Sequence, residues 1–232
     1  MIYGSVSIKG SYHDNNQDSV YSGICNDYYV LVVSDGLGSK NNSKQGSQAV
    51  CDSIKEVVKN LDLTESKINE NEIIRKVHNK WLYKLRNHEI NQSYATVLAC
   101  IITPFEIIAL RLGDGFLSII TKEENLVLYD KKENYFENET DCMYEDLDLD
   151  KWEIKKIKNN KLLGVIACSD GIAVSNNYEE DYLSFSKELI NSYKFDEKHE
   201  IEYDMKNWIS NWAGSDDKTI AFIIKEGEKT DG

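Results

Sequence analysis

Two apolar runs in this chain end in the same three residues. "VLVVSDGLGS" occupies 30–39 and "VIACSDGIAV" occupies 165–174. Runs this short and β-branched read as core strands. Each stops on a carboxylate, Asp35 or Asp170. Three more acids border apolar runs in the same way: Asp18 before "SVYSGI", Asp114 after "ALRLG", and Asp216 before "DKTIAFII". Taken singly, each is explained as a turn, because Asp-Gly is a favoured turn pair. Taken together, five carboxylates at strand ends are placed to converge on one edge of a sheet. Without a partner they repel, and some must protonate. Hard divalent cations such as Mg²⁺ and Mn²⁺ relieve that repulsion, since they take carboxylate, carbonyl and water oxygens.

The rest of the pattern sets the fold class. Strands are expected at 2–8, 18–24, 28–34, 94–103, 106–111, 115–120, 125–130, 152–157, 163–169 and 218–224. Short polar breaks between them indicate hairpins, and 106–121 reads as two strands joined through Gly113-Asp114-Gly115. Helical spacing appears in Val50, Ile54, Val57, Val58 and Leu61, then in Ile73, Ile74, Val77, Trp81 and Leu85 across 70–89. It returns around Tyr182–Tyr193 and again at 201–212. Grouped helices and hairpin-like strands argue for an α+β fold of two packed sheets with helices outside. With a single proline and no Gly/Ser-rich linker, one domain is expected over 1–232, with a polar tail from about 226.

Charge narrows the partners. The net charge is −13, from 27 Lys and Arg against 40 Asp and Glu. Phosphate neutralisation favours the opposite balance, so nucleic acid and anionic membrane are not expected partners. The five cysteines form no C-x-x-C pair, which fits free thiols in a reducing compartment. No signal peptide is apparent, and the longest apolar runs fall well short of the ~20 residues that span a bilayer. A cytoplasmic location is expected.

The ordered series of Asp18, "SDGLGS", "SYATVLACII", "LRLGDGFLSII", "ACSDGI" and "GSDDKTIAFII" resembles the metal-dependent serine/threonine protein phosphatases of the protein phosphatase 2C family. The likeness runs from about Ser5 to about Ile224. "SYHDNNQDS" and "FENETDCM" resemble a bacterial branch of that family. The resemblance implies a four-layer αββα sandwich, two antiparallel sheets flanked by helix pairs. It implies two Mn²⁺ or Mg²⁺ ions, with Asp35 bridging them, the Gly36 carbonyl helping to bind one, and Asp170 and Asp216 binding the other. Asp18 takes a supporting role through water. Catalytic roles fall to Asp35, His13 and Asp18. The implied reaction is hydrolysis of phosphoserine or phosphothreonine. A hydroxide held between two metals attacks phosphorus in line, without a phosphoenzyme. The partner implied is a phosphorylated protein, made by a kinase of the same pathway.

Some positions depart from the family pattern. His13 stands where an Arg commonly grips the substrate phosphate, and an imidazolium lacks the bidentate fork. His13 is also placed to donate a proton to the leaving alkoxide. Gln17 stands where an acid is usual, and Asp217 where Asn is. Asp114 matches a position linked to a third, weaker metal, but Val174 stands where an acid is expected four positions after Asp170, which argues against a third ion. These departures keep open a catalytically impaired phosphatase-like binding or sensing module. A nuclease-type two-metal hydrolase is disfavoured by the acidic charge. The acidic stretch 137–153 reads as a solvated loop, and Lys40 and Lys44 as surface lysines able to attract a phosphopeptide.

Overall fold

The computed structural model describes residues 1–61, 69–131, 140–172, 174 and 179–228. Ten strands and four α-helices are found among them. The strands are β1 (Ile2–Ile8), β2 (Ser19–Cys25), β3 (Tyr28–Ser34), β4 (Val97–Ile102), β5 (Glu106–Leu112), β6 (Phe116–Thr121), β7 (Asn125–Tyr129), β8 (Glu153–Lys158), β9 (Leu162–Cys168) and β10 (Lys218–Ile224). The helices are α1 (Ser43–Lys59), α2 (Glu70–Lys84), α3 (Glu179–Tyr193) and α4 (Lys198–Ser210). All ten expected strands form, with ends shifted by a few residues at most. Among the described residues, no helix is long and apolar enough to cross a membrane.

The strands build two five-stranded sheets in the orders β1-β10-β9-β6-β7 and β2-β3-β4-β5-β8. Neighbouring strands in both are antiparallel. Side chains alternate between faces along a strand, and three buried layers follow from that. Leu31 and Val33 of β3 face the other sheet, beside Leu117, Ile119, Val165, Ala167, Ala221 and Ile223. Val30 and Val32 face outward, onto Val50, Ile54, Ile74 and Trp81 of α1 and α2. On the second sheet, Ile166, Ile220 and Phe222 meet Leu189, Ile190, Ile201 and Met205 of α3 and α4. Both faces of the central strands are therefore buried. This is why they read as unbroken apolar runs instead of alternating ones.

Three local features differ from the sequence expectation or sharpen it. The β2–β3 hairpin turns on Asn26 and Asp27, both at positive φ (51° and 64°), the backbone twist that tight hairpins favour. The Gly113-Asp114-Gly115 segment does not close a hairpin: β5 lies in one sheet and β6 in the other. The chain crosses the sandwich there, and Asp114 is left at its end. Helix α2 stops at Lys84 instead of reaching 89. Its cap Leu85 donates back to Trp81 O, and His88 N then donates to Leu85 O. His78 packs inside, with Nε2 2.8 Å from Tyr144 O.

Helix α1 carries a glycine, Gly46, where it touches the segment leading into β4. A Cβ there would stand 1.8 Å from Ser93 O, and Trp81 Nε1 donates to Gly46 O at 3.2 Å. Alanine favours a helix by about 1 kcal/mol over glycine, while overpacking costs about 1–3 kcal/mol. The contact should win. We expect Gly46→Ala to lower the urea unfolding midpoint despite its better helix propensity. A raised midpoint would contradict this packing.

Candidate metal centre at the end of the sandwich

The sheet topology delivers the acids to one place. Asp35 follows β3, Asp114 sits in the crossing between β5 and β6, Asp170 follows β9 by two residues, and Asp18 immediately precedes β2. Asp35, Asp114 and Asp170 each offer a carboxylate oxygen within 4.8 Å of the others. Asp216 lies outside this innermost group but close enough to act electrostatically on Asp170. Its Oδ1 accepts from the backbone N–H of Asp217 at 2.9 Å. Gly36 is buried and forms an isolated bridge with Ala95.

Hydroxyl side chains fix the acids. Asp35 N donates to Thr96 Oγ1 at 2.9 Å. Thr96 N donates to Asp35 O at 2.8 Å, and Ser34 Oγ donates to Thr96 O at 2.7 Å. Thr140 Oγ1 donates to Asp114 Oδ2 at 2.8 Å. Ser169 Oγ donates to Asp18 Oδ2 at 2.8 Å and accepts from Thr219 N at 3.0 Å. None of these hydroxyls was singled out from the sequence. Ser34 and Ser169 adjoin Asp35 and Asp170 in the chain, a pairing too common in turns to stand out, and Thr96 and Thr140 are remote in sequence from the acids they bond.

The electrostatics are those of crowded like charges. Burial drives Asp35 well above the ordinary carboxylate value, and Asp18 and Asp170 add to the rise. Asp18 is also raised by burial, in part offset by hydrogen bonds to its neighbours. Asp170 keeps an open edge to solvent. Even so, desolvation, followed by Asp114, Asp216 and Asp18, pushes it up to about 7. The nearby ammonium groups do not answer this charge directly. Lys44 Nζ donates to Asp18 O and Ser19 Oγ, and Lys218 Nζ donates to Gly214 O and Asp216 O.

Asp18 Oδ1 is buried without a hydrogen-bond partner. An orphaned anionic oxygen beside three converging carboxylates is a hard, oxygen-only donor set. It fits a divalent cation of the Mg²⁺ or Mn²⁺ class.

His13 reaches the same end of the molecule. A Cβ on Gly38, in the loop after Asp35, would meet His13 Nε2 at 2.6 Å. Tyr12 packs edge-on to the imidazole with ring centroids 4.6 Å apart. Lys44 is engaged with backbone and is no free surface lysine, whereas Lys40 lies 4.7 Å over the Tyr94 ring. The acidic stretch is not wholly solvated. Its residues 137–139 lie outside the described residues, but Cys142 and Met143 are buried and Met143 N donates to Ala95 O. Val174 is half-buried against the α3–α4 core.

A protein phosphatase 2C family model matches residues 11–212. No curated protein matches the chain by sequence. Among solved structures, a bacterial serine phosphatase superposes with TM-score 0.72 at 15% identity, covering 98% of this chain and 99% of that one. Stp1, a serine/threonine phosphatase from Staphylococcus aureus, gives 0.70 at 15% identity, covering 98% and 96%. The catalytic domain of the serine/threonine protein phosphatase PstP, solved with two manganese ions, gives 0.69 at 14% identity, covering 97% and 98%. The solved structures share the two-sheet fold, and the family model spans most of the sequence: the chain belongs to the protein phosphatase 2C family.

Proposed function

We propose that the protein is a metal-dependent protein serine/threonine phosphatase, its whole chain forming a single phosphatase domain that works in the cytoplasm. The observation that carries this reading is the convergence of Asp35, Asp114 and Asp170 beside the orphaned oxygen of Asp18. We assign Asp35, Asp114 and Asp170 as the inner oxygen donors. The Gly36 carbonyl and Asp216 act at their flanks, and Asp18 supports Asp35. Two Mn²⁺ or Mg²⁺ ions held there would supply activation of water and neutralisation of charge on phosphoryl oxygens. The manganese in the PstP structure is consistent with such a site.

The chain's own groups do the rest. The hydroxyls of Thr140 and Ser169 hold the carboxylates of Asp114 and Asp18, and that of Thr96 holds the backbone of Asp35, before substrate arrives, so little reorganisation is needed during reaction. His13, at the mouth, is placed to bind the substrate phosphate and to hand a proton from its ring nitrogen to the leaving alkoxide of serine or threonine. The substrate class follows: a phosphorylated protein segment offered at an open, acidic surface, the product of a protein kinase.

The test is hydrolysis of p-nitrophenyl phosphate and of a phosphothreonine peptide, with and without Mn²⁺. We expect Mn²⁺-dependent turnover, reduced at least about a hundredfold in Asp35→Asn. Manganese binding without turnover in the parent would instead support a binding module. Cleavage of DNA but not of phosphopeptide would support a nuclease.

The crowded acids also predict an inverted pH response in the metal-free protein. Asp170 titrates near 7 when folded, against 3.8 for the free group. Between those values the folded state holds more protons than the unfolded one, so stability falls as pH rises through that window. With a chelator present, urea midpoints should therefore drop from about pH 5 to about pH 8. Asp170→Asn should flatten the slope, and saturating Mn²⁺ should raise the midpoint at the upper pH. An equal slope in parent and Asp170→Asn would disprove the crowding.

A further inference from the structure

Asp217 is an acid for which the proposed chemistry has no use. It is 3% exposed and next to Asp216. Its Oδ1 accepts from Gly10 N at 2.7 Å and its Oδ2 accepts from Gln17 N at 2.6 Å. These two amides are the ends of the segment that carries Tyr12 and His13. We propose that Asp217 is a positioning residue: it closes 10–17 into a loop and thereby sets where His13 stands at the mouth of the site. The kinetic part of this inference rests on the phosphatase reading; the geometric part does not.

The loop is fastened to the 214–217 turn along its length. Tyr12 N donates to Ser215 O at 2.9 Å. Gly10 lies so close that a Cβ would be 2.3 Å from Asp216 C and from Ser215 O. Inside the loop, Lys9 Nζ donates to His13 O at 3.0 Å and Asn16 Nδ2 donates to Ser7 Oγ at 2.8 Å. On its far side, Ser47 Oγ donates to Gln17 O at 2.5 Å. Gly38 and the Tyr12 ring then receive the imidazole. Charge-assisted bonds from a buried carboxylate to backbone N–H are the strong members of this set. Both oxygens are needed, because an asparagine offers one side-chain acceptor where aspartate offers two.

The experiment compares the parent with Asp217→Asn, His13→Ala and the double variant, each checked for folding by circular dichroism. Backbone amide exchange is read at Gly10 and Gln17, and the nuclear Overhauser contact between the His13 ring and Gly38 Hα is followed. Phosphopeptide KM and kcat are measured with Mn²⁺, and Mn²⁺ affinity by calorimetry. We expect Asp217→Asn to speed exchange at one or both amides and to weaken the His13–Gly38 contact. Mn²⁺ affinity should be unchanged. KM should rise about tenfold, the scale of a misplaced binding group. That rise should vanish in the His13→Ala background, because Asp217 acts through His13. An unchanged His13–Gly38 contact, a KM effect that adds to that of His13→Ala, or a matching loss of Mn²⁺ affinity overturns the proposal. A parent without phosphatase activity sinks the enzymatic reading alone, and the amide exchange and ring contact still decide the clamp. If Asp217→Asn does not fold, Asp217→Glu displaces the same two acceptors by one methylene and is read identically.

Discussion

Carboxylates gathered in a poorly solvated volume repel one another, and the end of this sandwich is organised around that repulsion. Burial alone disfavours the ionised forms of Asp18 and Asp35. Crowding then compounds it at Asp35 and Asp170. Such an arrangement survives only where the surrounding structure over-determines it. The two sheets do so. Their central strands are buried on both faces, so neither can slide or rotate without exposing a core. The acids ride on the ends of those strands and inherit their rigidity.

The hydroxyls beside the acids solve a second problem. A strand-end backbone leaves polar groups at the border between core and solvent. Thr96 serves the backbone of Asp35, and Ser169 accepts from Thr219 N while donating to Asp18, which locks both acids. Hydrogen bonds also lower the charge penalty on Asp18, though burial still prevails there. Among the described residues, the nearby Lys44 and Lys218 bond to carbonyl and hydroxyl oxygens.

At 14–15% identity, these solved structures share little with this chain beyond its plan. The plan needs apolar strands, correct crossings and acids at strand ends, and many side chains meet those needs. Three positions read in the sequence as departures from the family pattern belong to one neighbourhood, the segment 10–17 and the acid that holds it. His13 replaces an expected Arg, Gln17 an acid, and Asp217 an Asn. The last two meet in space, since Asp217 grips the backbone of Gln17.

The strands were legible because short β-branched apolar runs bounded by polar breaks are local properties, and all ten expected strands are present. The acids were legible because a carboxylate next to a core strand is conspicuous in one dimension. Other matters were not local. Whether Gly113-Asp114-Gly115 turned back or crossed between sheets depended on which strand β6 would pair with, and that is a long-range choice. In the sequence Asp217 is only an acid where Asn is usual, because its partners, the amides of Gly10 and Gln17, come from the other end of the chain. The sequence by itself determined the layered α+β plan and the residues able to meet at its end. The tertiary structure decided which of them share a space, because distances between residues remote in the chain are set by packing and pairing, not by spacing along it.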